Sequence, residues 1–173
     1  LVVLGHVEQR ARDAAIDIEQ RQRLDLAVGI AQPAHQAVQH AHRPAGAARL
    51  GAVSETLPAA ASREAAAAGQ RAFGENYVQE FADKAADLAD VDVEWRFIGP
   101  LQSNKTRAVA EHFDWVHTVE RLKIAQRLSE QRPAHLPPLQ VCLQINVDGG
   151  ANKAGTAPED ALALALAVAA LPR

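Results

Sequence analysis

From residue 49 onward, short apolar runs alternate with stretches in which apolar residues recur three and four positions apart. The runs centre near residues 52, 73, 96, 116 and 143, and each precedes a helical pattern. Residues 49–54 read as a first strand. Pro58 then opens a helix through the alanines at 65–68 that stops at Gly69, a residue suited to the left-handed turn after a helix. A second strand begins at residues 72–74. Asn76 and Gln79 have the spacing of a capping box, and Val78, Phe81, Ala85 and Leu88 share one face of the helix that follows. Residues 94–99 form the third strand, about 103–112 a helix, and 115–118 the fourth strand. Leu122, Ala125 and Leu128, with Ile124 beside them, mark the buried stripe of the next helix, and Pro133, Pro137 and Pro138 end it. Residues 139–147 are the fifth strand. Thr156 with Glu159 predicts a second capping box, and the last helix, apolar almost all round, reads as buried.

Five strand–helix units in strict alternation predict an α/β fold with a parallel sheet. Right-handed crossovers allow either an open doubly wound sheet or part of a (β/α)8 barrel, and strand composition does not separate the two. Residues 1–48 stand apart as an N-terminal segment without sustained period, so the domain is placed at 49–173. Residues 10–23 could form a polar helix. His40 and His42 lie two apart and diverge on a helix, and no cysteine or carboxylate cluster accompanies them, so no metal site is expected.

Composition narrows the class without naming it. With 48% hydrophobic and 23% charged residues in 173, one globular domain is the expectation. A net charge of −3, with basic residues scattered among acidic ones, argues against a nucleic-acid partner. The longest apolar run, 161–171, falls short of the roughly 20 residues that span a bilayer, so no membrane partner is expected. Cys142, the single cysteine, sits in an apolar strand and reads as a buried, inert thiol. The first residues lack the basic start of a signal peptide, which makes a cytoplasmic location the expectation. A chain that contains no methionine and begins with Leu1 reads as a fragment.

Chemistry concentrates where strands end in glycine and helices open with small polar residues. Phe73-Gly74-Glu75-Asn76-Tyr77-Val78-Gln79-Glu80 and Phe97-Ile98-Gly99-Pro100-Leu101-Gln102-Ser103-Asn104-Lys105 are two such junctions, and both gather backbone N–H groups at one rim. His117, at the end of the fourth strand, falls on the same rim and could act as an acid or base, or as a hydrogen-bonded structural residue. Lys153 follows the fifth strand, where a ligand contact and a solvated surface lysine are both open. Lys105 could meet a phosphate or pair with Glu111.

These two junctions, together with His112-Phe113-Asp114-Trp115-Val116-His117-Thr118, closely resemble the pyridoxal phosphate homeostasis protein family over about residues 49–173. The resemblance implies a partial fold-type III barrel of about five β/α units, like the barrel of alanine racemase. It also implies a pyridoxal 5′-phosphate (PLP) site with Asn76, His117 and Lys153 on the cofactor side, and no established catalytic reaction. Members usually read Val-Ser-Lys-Thr at the end of the first strand, with the lysine bound to the cofactor aldehyde. This chain reads Val53-Ser54-Glu55-Thr56. A carboxylate cannot form that imine, so covalent attachment at Glu55 is not possible. Arg96 stands where members usually carry histidine, and members continue for three further strand–helix units with an arginine for the pyridine nitrogen and groups for the phosphate. Two other readings stay open: a PLP-dependent racemase-like enzyme on the same barrel, and a nonfunctional fragment or mistranslated product.

Overall fold

The computed structural model describes residues 51–150 and 152–173. The segment 1–48, with His40 and His42, lies outside the described residues. Five strands alternate with helices in chain order: β1 (Gly51–Val53), α1 (Ala59–Ala67), β2 (Ala72–Glu75), α2 (Val78–Asp87), β3 (Glu94–Phe97), α3 (Thr106–His112), β4 (Trp115–Val119), α4 (Leu122–Gln131), β5 (Gln140–Leu143) and α5 (Ala161–Ala169), the last entered through a short 3-10 turn at Pro158–Asp160. Every strand pair is parallel and the sheet order is β1-β2-β3-β4-β5. A doubly wound sheet would reverse direction after its first strands, whereas this one advances the same way at every crossover, which is the winding of a barrel. The partial barrel is therefore the fold.

Register divides the strand side chains between two faces. Phe73 pairs with Trp95 and Phe97 with Val116, and these side chains pack against the helices. Their neighbours Val53, Gly74, Arg96 and Trp115 follow one another across the opposite, inner face. All four phenylalanines of the sequence join the helix-side core, each 2% exposed or less. Phe81 meets Trp95 edge-on at 5.1 Å and Phe113 at 4.1 Å, and Phe97 meets Phe113 edge-on at 5.4 Å. Each such pair adds about 0.5–1.5 kcal/mol beyond simple burial.

Helix ends agree with the sequence in one place and depart from it in two. Gly69, at φ +100°, donates its N–H to Ala66 while Gln70 donates to Ala65, so two carbonyls of the last turn of α1 are satisfied. Neither capping box forms. Tyr77 and Asp160 occupy the cap positions of α2 and α5 without a side-chain cap bond. Asn76 is turned to Glu55, and the backbone of Thr156 exchanges hydrogen bonds with Gln144 and Asn146.

The fifth strand is shorter than predicted. A register irregularity between Val116 and Val119 sends the Gln144 N–H to Val119, and Ile145 then pairs singly with Thr156. The helix predicted to be buried is largely exposed. In α5 only Leu164 is buried, while Leu162 and Leu166 are 70% and 66% exposed, because α5 packs one flank toward α4 and the described residues leave the other uncovered. Cys142 is half-buried on β5, and burial pushes its thiol above the usual range. Among the described residues, no helix is long and apolar enough to cross a membrane.

Candidate functional site

The C-terminal ends of the strands form a continuous rim laced by short polar contacts. Ser54, one residue beyond β1, continues the ladder by donating its N–H to Gly74 at 3.0 Å, and the Ile98 N–H does the same toward Glu75. Side chains alternate about such a ladder, so Ser54 and Glu75 turn to the helices while Glu55 and Asn76 fall on the inner rim. There the Asn76 side-chain amide donates to the Glu55 carboxylate. Ser54 also accepts the Leu57 N–H at 3.1 Å, closing a turn in which Thr56 sits at φ +61°. A β-branched residue in that region is rare and marks a turn held in place by its surroundings.

Behind this turn lies a charged cluster absent from the sequence reading. Lys84 on α2 donates to the Glu75 carboxylate at 2.6 Å and to the Ser54 carbonyl at 2.6 Å, and the Ser54 hydroxyl donates to the same Glu75 oxygen at 2.6 Å. The three residues are 6%, 0% and 3% exposed for Lys84, Glu75 and Ser54, and the second Glu75 oxygen is buried without a partner. The sequence held a signal for it. Lys84 lies three residues after Phe81 on the buried stripe, and Glu75 lies two after Phe73 on the buried strand face.

Glycine extends the rim to the next strands. A Cβ on Gly99 would stand 2.5 Å from the Asn76 carbonyl oxygen and 2.9 Å from its Cα, so the loop after β3 presses directly on the Asn76 backbone. The Thr118 hydroxyl donates to the Gly99 carbonyl at 2.6 Å and ties β4 to the same place. Gly99→Ala should cost about 1–3 kcal/mol, because backbone atoms must move to admit the methyl. Urea denaturation reads this directly, and an unchanged midpoint would show that the loop yields without strain.

The inner face below the rim is polar and aromatic. The Arg96 guanidinium lies 5.2 Å from the Trp115 ring centre and pairs with Glu94 at 2.5 Å, so it is a half-buried, partnered cation and not a charge at a wet end. His117 packs edge-on to Trp115 at 6.0 Å, and its Nε2 is buried without a hydrogen-bond partner. Burial first, and the Arg96 charge second, hold the imidazole below the usual histidine range, which favours the neutral ring. Lys153 sits in the exposed loop after β5, where its N–H bonds Gly150 and its carbonyl accepts from Asn146. The structure thus joins Glu55 directly to Asn76, places His117 on the inner face beneath, and sets Lys153 on an outlying loop. Glu111 pairs with Arg107 at 3.7 Å, not with Lys105, because Arg107 is four residues away on the same helix face.

The family model of the alanine racemase N-terminal domain matches residues 37–173. The chain belongs to the alanine racemase N-terminal domain family. Within the family it is similar to the pyridoxal phosphate homeostasis protein of Pseudomonas aeruginosa, 64% identical over 143 residues covering 83% of this chain and 62% of that protein. The homeostasis protein of Escherichia coli is 58% identical over 125 residues, 70% of this chain and 53% of that one. Both of these relatives carry the name of a pyridoxal phosphate homeostasis protein. PipY of Synechococcus elongatus, solved with PLP bound, superposes with a TM-score of 0.67 at 41% identity over 79% of this chain and 63% of PipY. Alanine racemase of Corynebacterium glutamicum shares the fold at a TM-score of 0.53 and 21% identity, over 74% of this chain and 37% of the racemase. The chain spans less than two thirds of the length of each of these relatives.

Proposed function

We propose that this chain is part of a cytoplasmic pyridoxal phosphate homeostasis protein, the portion of the barrel that builds one side of the cofactor rim without the amine that would attach the cofactor. In this reading residues 49–173 are the barrel portion, residues 1–48 are a separate segment, and the chain binds without catalytic turnover. The observation that carries it is the junction of Glu55 with Asn76 at the C-terminal ends of β1 and β2, where barrels of this winding hold their ligands. The names of the relatives and the PLP in PipY support the ligand class.

Covalent attachment does not fit the residues present. Position 55 carries a carboxylate already held by Asn76, and Lys84, whose ammonium bonds the carbonyl of the preceding Ser54, is turned to the helix side and engaged by two acceptors. What remains for PLP is non-covalent: the Asn76 side chain on the rim, with the inner-face His117 beneath it and the Lys153 ammonium on the outlying loop after β5.

Glu55→Lys tests the assignment of the rim. After incubation with PLP, borohydride reduction and peptide mass mapping, the unsubstituted chain should carry no pyridoxyl group at position 55. The Glu55→Lys chain should acquire one there several-fold faster than at the exposed Lys123. Equal labelling of the two lysines would show that the rim does not recruit the cofactor.

A further inference from the structure

Each member of the buried cluster directly precedes or grips the backbone next to a rim residue. Ser54 is followed by Glu55, Glu75 is followed by Asn76, and the Lys84 ammonium donates to the carbonyl of the peptide bond that joins Ser54 to Glu55. That carbonyl also accepts the Leu57 N–H, so a single oxygen anchors both the charged clamp and the turn that holds Thr56 at φ +61°. We infer that Lys84, held by Glu75 from the helix side of the sheet, is a positioning residue that orients residue 55 toward Asn76 on the rim.

The physical argument is one of alternation and rigidity. An ammonium buried to 6% exposure between a carboxylate and a main-chain carbonyl has little room to move, and the lone bonds it makes are short and charge-assisted. The Ser54 side chain is held on the helix side by Glu75, so the next side chain projects to the inner face, and Lys84, by gripping the carbonyl between the two residues, fixes that peptide just before the left-handed Thr56. Glu75 applies the same constraint to the other partner: its side chain is fixed outward by Lys84 and Ser54, and Asn76 follows inward. A lysine on a helix face opposite the ligand thereby sets the geometry of a ligand-side residue it never touches.

The inference rests on the rim reading above, and the test separates the two. The double substitution Glu75→Gln/Lys84→Met removes both charges while keeping near-equal volume. Thermal unfolding first establishes that it still melts cooperatively. Hydrogen exchange of the Asn76 side-chain amide should then quicken several-fold, as the Glu55–Asn76 bond loosens. In the Glu55→Lys background, pyridoxyl labelling at position 55 should fall several-fold while labelling at Lys123 stays constant. Ser54→Ala, which deletes one hydroxyl donor and leaves the ion pair, guards against loss of fold and should quicken the same exchange by a smaller factor. Folded variants with unchanged Asn76 exchange overturn the inference. Failure of the Glu55→Lys chain to label at position 55 overturns the rim reading alone, because the exchange measurement needs no cofactor.

Discussion

Lys84→Met should lower the unfolding free energy by about 3–5 kcal/mol, the cost of leaving one partner of a buried ion pair uncompensated. The side chain supplies two of the three hydrogen bonds in its cluster, and its loss leaves the Glu75 carboxylate with the Ser54 hydroxyl alone, its second oxygen already lacking a partner. Against a total of roughly 5–15 kcal/mol for a domain of this kind, that is a large share. Pairing the change with Glu75→Leu should recover most of the loss, since a well-packed apolar pair of similar volume avoids the desolvation cost of both charges. Urea unfolding of the single and double variants measures both values. A single variant within about 1 kcal/mol of the parent would mean that water reaches the carboxylate.

Arg132→Met carries the second large effect, expected at about 2–4 kcal/mol. Its guanidinium, 5% exposed, donates to the carbonyls of Ala110 and Phe113 at 2.7 Å each and to Pro137 at 2.8 Å. Those carbonyls lie at the end of α3 and in the proline-rich turn after α4, so one side chain pins the loop that leads into β5 onto the neighbouring helix. A planar cation with donors in several directions meets three acceptors at once, and its charge complements the negative end of α3. Burial lowers the Arg132 pKa, with Asp114 opposing that shift, yet the group stays charged at neutral pH. Arg132→Lys should restore only part of the loss, because a point ammonium cannot span the same acceptors. Thermal unfolding of both variants tests this, and equal midpoints for Lys and Arg would assign the effect to charge alone.

Strand and helix positions were legible because local periodicity encodes them. The runs near 52, 73, 96, 116 and 143 all became strands, and the stripe of Phe81 and Leu88 became the core side of α2. What periodicity cannot carry is a partner. The fifth strand was read to residue 147 because apolar alternation continues, but its ladder ends where Val119 and Thr156 redirect the next N–H groups. The two capping boxes failed for a related reason. Asn76 has the spacing of a cap, yet the helix opens one residue later with Tyr77 at the cap position, and the Asn76 side-chain NH2 donates to a carboxylate 21 residues earlier in the chain. In α5 a uniformly apolar surface implied burial, while exposure depends on what packs against it.

The candidate site divides along the same line. Residue types alone decided that position 55 offers no amine, that glycines stand at 74 and 99 near the ends of β2 and β3, and that Lys84 and Glu75 occupy buried phases of their helix and strand, because these are matters of covalent chemistry and of period. Only the tertiary structure decided that the sheet winds in one direction, that Glu55 meets Asn76, that Gly99 presses on the Asn76 backbone, and that Lys84 reaches the Ser54 carbonyl. Each of those contacts joins residues of different strand–helix units, and the free energy that selects them comes from packing across the sheet, which no local stretch of sequence contains.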